Sequence, residues 1–169
     1  AGQWLEARAV VGFYPAHSTD SDDIVLFEDV ERSRPLITLH HLRQQRQKAA
    51  GQPNFCLSDY IAPADSDKTD YLGAFAVSAG FGIEPHLQRF EAAHDDYSSI
   101  LLKALADRFA EATAEYMHEQ VRKNLWGYQP NEQLDNASLI DEKYIGIRPA
   151  PGYPACPDHT EKPLLWQLL

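Results

Sequence analysis

The stretch from Tyr97 to Leu125 contains neither glycine nor proline, and it constrains the fold more than any other segment. At 1.5 Å per residue it predicts a helix of roughly 40 Å. A shorter helix precedes it, with Pro85 near its first turn. Apolar residues at three- and four-residue steps predict one buried face on the long helix, formed by Ile100, Leu101, Leu105, Phe109, Ala112, Tyr116 and Val121.

The chain before these helices is rich in β-branched and aromatic residues. Segments 7–16 and 23–30 predict a hairpin with a long polar loop, and PLITLHH predicts a third strand that starts at Pro35. DYLGAFAVSAGFG predicts a further strand, and its small residues favour a central, buried position in the sheet. Strands first and helices afterwards predict an α+β fold around an antiparallel sheet rather than an alternating α/β fold.

Three further segments complete the predicted organisation. LHHLRQQRQKAAGQ has helical composition and ends at Gly51 and Pro53, whereas GYQPNEQLDNASLIDEKY predicts a loop and a short helix capped by Asn136 or Ser138. The chain begins almost inside a strand and stops at KPLLWQLL, an apolar helical start without a C-terminal cap. We therefore expect residues 1–169 to be a single domain, truncated at both ends.

Composition excludes several classes of function. The formal net charge of −10 argues against a nucleic-acid binder, which needs clustered Lys and Arg. No apolar run approaches the roughly 20 residues of a membrane span, and the N-terminus lacks the features of a signal peptide. Cys56 and Cys156 are too few for a disulfide scaffold and fit a reducing compartment, each as a buried free thiol. We expect a soluble, cytoplasmic protein.

The usual arrangements for catalysis and metal binding are missing from the sequence. It has no G-x-S-x-G motif and no cysteine with an evident activating neighbour, so we assign no catalytic residue. His40 and His41 would face opposite ways on a strand, and Cys156 with His159 is half of a zinc site without a second pair, so we assign no metal. P-loop and G-x-G-x-x-G motifs are also missing, which argues against nucleoside triphosphates.

The stiff segment RPAPGYPACPDH favours recognition of an amino-acid ligand. The planar fork of Arg148 can bind a carboxylate through two hydrogen bonds, and four prolines in the segment lower the cost of ordering it. Gly152 permits close approach of the main chain, and Tyr153 offers a flat surface with one hydroxyl. The ammonium group of such a ligand would need a carboxylate, for which Asp59, in apolar surroundings in the sequence, and Glu111, on the long helix, are candidates. From the pattern alone, an ordinary solvated acid or ion-pair partner is the favoured interpretation of each.

A family resemblance sharpens this interpretation. GIRPAPGYPACPDHTEK resembles the R-x-x-x-G-Y signature of the S-adenosylmethionine-binding activation domain of cobalamin-dependent methionine synthase. Other segments are similar to successive blocks of that domain in the same order: VVGFYPA, HHLRQQ, CLSDYIAP, DYLGAFAV, FEAAHDDYSSILLKALADRFAEA, YMHEQVRKNLWGY and PNEQL. The resemblance covers essentially the whole chain.

The resemblance implies a C-shaped α+β domain, the C-terminal module of a four-module methyltransferase that makes methionine from homocysteine and 5-methyltetrahydrofolate. This module restores methylcobalamin when the cofactor has been oxidised to cob(II)alamin. A flavodoxin-like donor supplies an electron, S-adenosylmethionine supplies the methyl group, and the cobalamin is carried by another domain of the same parent chain. Because cobalt is the nucleophile, the protein needs none of its own, and the isolated fragment is not expected to be catalytic.

Site residues follow from the resemblance, motif by motif. Arg148 would hold the carboxylate of S-adenosylmethionine, with the Ala150 backbone and Tyr153 lining the same pocket. Asp59, in the C-L-x-D-[YF] block, would accept from the ammonium group, and Glu111 matches a glutamate close to the methyl-transfer site. In the family the chain continues beyond LLWQLL through an aromatic G-W-Y-F-S-H-P stretch that completes the ligand site.

Asp107 lies one helical turn before Glu111 and so on the same side of the helix, where the resemblance implies the docked cobalamin domain. A carboxylate at this position could receive the histidine that cobalt releases.

Two alternatives remain open from the sequence. One is a free-standing S-adenosylmethionine methyltransferase for a small substrate, which would need a base or a second pocket. The other is a structural docking domain for a flavodoxin-like electron donor, without ligand binding in this fragment. Docking of an acidic flavodoxin would require a basic patch, for which HHLRQQRQK and VRK are the candidate runs; a solvated helix face is the simpler interpretation of both.

Overall fold

The computed structural model describes residues 4–169. Its strands and helices, in chain order, are β1 (Glu6–Ser18), β2 (Asp23–Phe27), β3 (Pro35–His40), a 3-10 helix (Leu57–Tyr60), β4 (Asp70–Phe81), α1 (Glu84–Ala92), α2 (Asp96–Gln120) with a π-helical turn (Val121–Leu125), α3 (Asn136–Ile140) and α4 (Lys162–Leu168).

The strands of the described chain form one four-stranded sheet in the order β3-β2-β1-β4. β1 and β2 pair antiparallel with Ala16 opposite Leu26, and β2 pairs antiparallel with β3 through Ile24 opposite Leu39. The prediction of an α+β fold with an antiparallel sheet and flanking helices is confirmed. The prediction of a central β4 is wrong, because β4 lies at the edge of this sheet beside β1.

The chain forms two compact units. The first contains the start of the chain up to Val10 together with Ala76–Ile147, and the second contains Val11–Phe75 together with Arg148–Leu169. β1 and β4 each contribute residues to both units, since their ranges cross these boundaries.

The core of the second unit lies between its strands and α4. Alternate residues of a strand share a face, which is why Ile24 and Leu26 are both fully buried. The cluster comprises Ala16, Ile24, Leu26, Leu39, Leu72 and Ala74, and α4 packs against it with Leu164, Leu165 and Leu168. The hydroxyl of Tyr14 donates a hydrogen bond to the carbonyl of Leu168, which fixes the end of α4 to β1.

In the first unit the buried side of α2 agrees only in part with the predicted one. Val121 is buried as predicted, and Leu102 and Ala106 pack with Ile83. The other six residues predicted to be buried are exposed: Ile100, Leu101, Leu105, Phe109, Ala112 and Tyr116. Small residues decide the outcome, because a Cβ at Gly80 would lie 3.3 Å from the Ala106 Cβ. The backbone of β4 therefore approaches α2 on its small-residue side, and Gly80 has a φ of +101° that glycine adopts without strain.

The π-helical turn after α2 contains a buried ion pair. Arg122 is fully buried and donates from Nε and Nη2 to the two carboxylate oxygens of Glu132, at 2.7 and 2.6 Å. Its guanidinium also lies 4.5 Å from the centre of the Tyr144 ring. VRK is neither the candidate basic patch nor the solvated helix face that we favoured, because Val121 and Arg122 are buried and Lys123 pairs with Glu119 at 3.1 Å.

The segment after β3 is not the predicted helix. Residues 41–49 have no regular secondary structure, and several side chains there bond to nearby main chain. The Gln44 side chain accepts from the Phe55 amide at 3.1 Å, and Lys48 donates to the Pro53 carbonyl at 2.6 Å. Such contacts stabilise an irregular conformation and outweigh the helical propensity of Gln, Arg and Ala, which amounts to only a few tenths of a kcal/mol per residue.

The structure also defines the cap of α3 and the state of the two cysteines. The cap of α3 is Asp135, which accepts from the Ser138 amide at 2.8 Å, so neither Asn136 nor Ser138 is the cap. Cys56 and Cys156 are buried free thiols, as predicted. Across residues 4–169, none of the helices combines the length and the apolar character needed to cross a membrane.

Candidate functional site

Asp59 is held at the third position of the 3-10 helix that follows Cys56. Its Oδ2 accepts from the Cys56 amide at 2.9 Å, and its own amide donates to the Cys56 carbonyl at 3.1 Å. This reciprocal cap fixes the start of the short helix and the position of the side chain. About a third of the Asp59 side chain, 36%, is exposed to solvent, so the carboxylate remains accessible.

Arg43 is the main partner of Asp59, and the sequence alone does not identify it. Nη1 and Nη2 donate to Oδ2 and Oδ1 of Asp59, both at 2.7 Å, in a parallel bidentate pair. Nε and Nη2 form a second bidentate pair with Asp22, at 3.0 and 2.5 Å. Asp59 is therefore not in the purely apolar surroundings that the sequence suggested.

The pKa values of this cluster follow from these contacts. The hydrogen bonds from Arg43 hold the pKa of Asp59 below its usual value, with a smaller contribution from the Cys56 amide, against the opposing effect of burial. The same bonds to Asp59 and Asp22 raise the pKa of Arg43. Asp59 is consequently ionised at neutral pH and available as an acceptor.

An open cleft of about 300 Å³ lies over this cluster. Its lining consists of residues from the β1–β2 turn, the segment after β3 and the 3-10 helix: Ser18, Thr19, Asp20, Asp22, Arg43, Ser58, Asp59, Ile61 and Pro63. Three carboxylates and one guanidinium give this lining a net negative charge. It therefore favours a positively charged group over an anion.

The proline-bounded segment after Ile147 forms a series of tight turns. The Gly152 amide donates to the Cys156 carbonyl at 2.8 Å, and the Cys156 amide donates to the Tyr153 carbonyl at 2.9 Å. Gly152 has a φ of +104°, and a Cβ there would lie 2.7 Å from the His159 ring. Glycine is therefore required by backbone conformation and by the packed imidazole, rather than by ligand approach alone.

The end of β3 anchors this segment. The Glu161 carboxyl is hydrogen-bonded to the His40 backbone, and Cys156 Sγ lies 3.7 Å from His41 Nδ1. Burial raises the pKa of the Cys156 thiol to about 11, which makes it unreactive at neutral pH. Because Arg43 is two residues beyond His41, one short stretch of chain connects the segment 148–161 with the Asp59 cluster.

The predicted ligand residues share a unit but not a cleft. Asp59, Arg148, Ala150 and Tyr153 all belong to the second compact unit. Arg148 is half-buried, Ala150 is exposed and its carbonyl accepts from the Tyr153 amide at 2.9 Å, and Tyr153 is 59% exposed. Of the four, Asp59 alone is among the described residues that line the 300 Å³ cleft.

Glu111 and Asp107 belong to the first unit, on α2. Both are exposed, and Glu111 pairs with Arg108 at 2.8 Å, a contact in which both side chains remain more than 65% exposed. The same side of the helix also carries Ile100, seven residues before Asp107, whose side chain is 67% exposed. This mixture of apolar and acidic groups is typical of a surface that another protein covers.

In the chain from Trp4 onward, no three or more His, Cys, Asp and Glu side chains are grouped so that they could hold a metal ion. The histidine and cysteine pair at the end of β3 is therefore a packing contact and not a recognisable metal centre.

Comparisons with known proteins identify close relatives. The sequence matches the model of a family described as vitamin B12 dependent methionine synthase, activation domain, over residues 1–169. A crystal structure of the MetH reactivation domain bound to AdoHcy has 55% sequence identity with this chain and a TM-score of 0.90. The alignment covers 99% of this chain and 51% of the solved chain, so the present chain spans about half of that relative's length.

Proposed function

Since this chain belongs to the family of activation domains of vitamin B12-dependent methionine synthase, we propose that it binds S-adenosylmethionine as the methyl donor for cobalamin reactivation. The observation that carries this proposal is the 55% identity, over 99% of the chain, to a reactivation domain bound to AdoHcy. Residues 1–169 are, in this proposal, part of one activation domain within a methyltransferase. Methylation of cobalamin would return the parent enzyme to methionine synthesis.

The acidic cleft supports a role for Asp59 in holding the ligand's ammonium group. Its carboxylate is ionised, partly exposed and set in a lining with net negative charge. Each of these properties favours a cationic partner. Arg148 would bind the ligand's carboxylate, with the Ala150 backbone and Tyr153 beside it and Glu111 close to the transferred methyl group.

The protein's part in the reaction is orientation and shielding. The methyl group of a sulfonium is already activated, and cobalamin carried by another domain supplies the nucleophile that takes it. The residues of this chain therefore need to fix the ligand's amino-acid tail and present its methyl group to that domain. The raised pKa of Cys156 is consistent with this, because that thiol stays protonated and does not compete for the methyl group.

The exposed face of α2 supports docking of the cobalamin-carrying domain. Asp107 and Glu111 lie one turn apart on α2, and Ile100, on the same side of the helix, is 67% exposed. Burial of such side chains against a partner is favourable, at roughly 25 cal/mol per Å² of apolar surface. A flavodoxin-like donor would supply the electron. Of the candidate basic runs for its docking, VRK has Arg122 paired with the buried Glu132, and HHLRQQRQK has Arg43 paired with Asp59.

Ligand binding is tested by calorimetric titration of S-adenosylmethionine and S-adenosylhomocysteine into the wild-type protein and Arg148→Ala. We expect the variant to lose roughly 1.5–3 kcal/mol of binding free energy with both ligands, because a charge-assisted bidentate contact is removed. Arg8→Ala is the matched control, since Arg8 pairs only with the exposed Glu6 and a Phe81 ring among the described contacts. Equal affinity of wild type and Arg148→Ala would contradict the carboxylate role.

A further inference from the structure

The arrangement around Arg43 suggests a role beyond the ligand contacts named above. We propose that Arg43 is the positioning residue for the ligand's amino group: it fixes the orientation of the Asp59 carboxylate, while Asp22 shares its charge. This inference rests on the proposed function, because Asp59 must be the acceptor for the ammonium group. Arg43 would act through Asp59 rather than by touching the ligand.

All five N–H donors of the Arg43 guanidinium have acceptors. Two go to Asp59, two go to Asp22, and the fifth goes from Nη1 to the Asn54 carbonyl at 2.8 Å. A planar group satisfied at every donor has one orientation, and its flat edge sets the plane of the carboxylate opposite. The Asp59 side chain is therefore held in one rotational state before any ligand arrives, which lowers the entropic cost of binding.

The contacts of Asp59 leave one oxygen with spare capacity. Oδ2 accepts from both Arg43 Nη1 and the Cys56 amide, whereas Oδ1 accepts from Arg43 Nη2 alone among the described residues. A carboxylate oxygen has two lone pairs, so Oδ1 can take one further hydrogen bond. We assign this position on Oδ1 to the ligand's ammonium group.

Asp22 explains how an acid already paired with arginine can still attract a cation. If Arg43 were paired with Asp59 alone, the two charges would cancel and an ammonium group would gain little. Asp22 is held in the turn with a φ of +67° and takes the other side of the same guanidinium. Together with Asp20, the other acid of the lining, it leaves the cleft negative around an oriented carboxylate.

The experiment compares two ligands in the full-length protein that contains this chain. S-adenosylhomocysteine carries the amino-acid tail, and 5′-methylthioadenosine lacks it, so the ratio of their dissociation constants reports recognition of the tail. The variants are Arg43→Lys, which keeps the charge without the bidentate fork, and Arg43→Gln, which removes both. Arg46→Gln, an exposed arginine in the same segment, is the matched control.

We expect both Arg43 variants to weaken S-adenosylhomocysteine binding roughly tenfold and to leave 5′-methylthioadenosine binding within about twofold. Arg46→Gln should change neither. If Arg43 only joins three segments of chain, both ligands should weaken together, so a parallel loss would overturn the inference. Wild-type affinity for S-adenosylhomocysteine in Arg43→Lys, or tighter binding in Arg43→Gln, would show that charge and not orientation matters, and would overturn it too.

A pH profile gives a second readout. Arg43 lowers the pKa of Asp59, so the carboxylate of the wild type stays ionised to a lower pH than an ordinary aspartate. In Arg43→Gln the loss of tail recognition on acidification should begin at a higher pH, towards the ordinary value near 3.8. Asp20, Asp22, Arg43 and Asp59 are the charged groups that line the cleft, and Asp22→Asn distinguishes their contributions.

The proposed function and the role of Arg43 can be overturned independently of each other. A wild type that binds neither ligand would overturn the proposed function. A wild type that binds S-adenosylhomocysteine, with Arg148→Ala impaired and both Arg43 variants unimpaired, would leave the proposed function intact and overturn the role of Arg43.

Discussion

At the scale of single residues, two Arg–Glu ion pairs of this protein differ in how deeply they are buried. Arg122 and Glu132 have side chains that are 0% and 8% exposed, whereas the side chains of Arg8 and Glu6 are 66% and 59% exposed. An exposed pair contributes about 0–1 kcal/mol, because water solvates the separated charges almost as well. A buried guanidinium left without its carboxylate has no such alternative.

We therefore expect Glu132→Gln to lower the free energy of unfolding by about 3–5 kcal/mol, with Glu6→Gln close to wild type. Urea denaturation of the two variants measures the difference. The pKa of Glu132 is lowered, chiefly by the hydrogen bonds from Arg122, so its contribution is present above its ordinary value near 4.5. That contribution is lost as the pH falls through the lowered pKa; equal losses in the two variants at pH 7 would contradict the argument.

Residue types in the sequence suggested part of the candidate site, but the hydrogen-bond partners of these residues could not be predicted from the sequence. An aspartate within CLSDY and an arginine before a proline-rich segment stand out as a candidate acid and a candidate carboxylate binder. Nothing in the sequence pairs Arg43 with Asp22, because the hairpin turn and the segment after β3 are brought together only by the fold. For the same reason the apolar neighbours of Asp59 gave a misleading picture of its surroundings.

At the scale of elements, α2 shows what periodicity can and cannot predict. The absence of glycine and proline correctly predicted a long helix, which runs from Asp96 to Gln120 and continues as a π-helical turn. Both sides of this helix carry apolar residues, so spacing alone did not identify the buried side. The small residues Ser99 and Ala106 determine it, because they allow close packing.

Two leucines three residues apart on α2 test this assignment. Leu102 is 6% exposed and Leu105 is 50% exposed. We expect Leu102→Ala to lower the free energy of unfolding by about 2–5 kcal/mol, since it removes core contacts and leaves a cavity. Leu105→Ala should stay within about 1 kcal/mol of wild type. Thermal or urea denaturation of the isolated protein measures the stability of both variants. A larger loss in Leu105→Ala than in Leu102→Ala would contradict this assignment and support the face predicted from the sequence.

The other elements were predicted to different degrees for physical reasons. The three strands of the meander have strong β-branched and aromatic signals, and their order and pairing are as predicted. Residues 41–49 have helical composition, but long polar side chains there find acceptors on neighbouring segments. Helical propensity amounts to only a few tenths of a kcal/mol per residue, so such contacts outweigh it.

At the scale of the whole molecule, this chain spans about half of its solved relative, and one side of α2 is exposed in it. We expect Asp107→Asn to weaken association with the cobalamin-bound domain roughly tenfold, through loss of a charge-assisted contact. Surface plasmon resonance with the separate cobalamin domain measures this change. Glu91→Gln, an exposed acid on α1, is the control; identical affinities for both variants would remove Asp107 from the interface.

Overall charge predicted the partners only in broad terms. A net charge of −10 favours cationic ligands or simple solubility, and the cleft at Asp59 has a negatively charged lining. The distribution of positive residues was not predictable, because Arg122 is buried against Glu132 and Arg43 is paired with Asp59 and Asp22 at the cleft. Family resemblance supplied the candidate ligand, which charge and periodicity alone could not name.

The short path from His40 to Arg43 has a consequence for how this protein tolerates change. Its first two residues hold the proline-rich segment, and its last holds the acid of the cleft. The tetrapeptide therefore works as a spacer of fixed length. Deleting Leu42, whose side chain is exposed, would remove none of these contacting groups. It would nevertheless shift Arg43 relative to His40 and His41, so that both sets of contacts could not form together. At this position the length of the chain is therefore constrained, whereas the identity of the side chain is not.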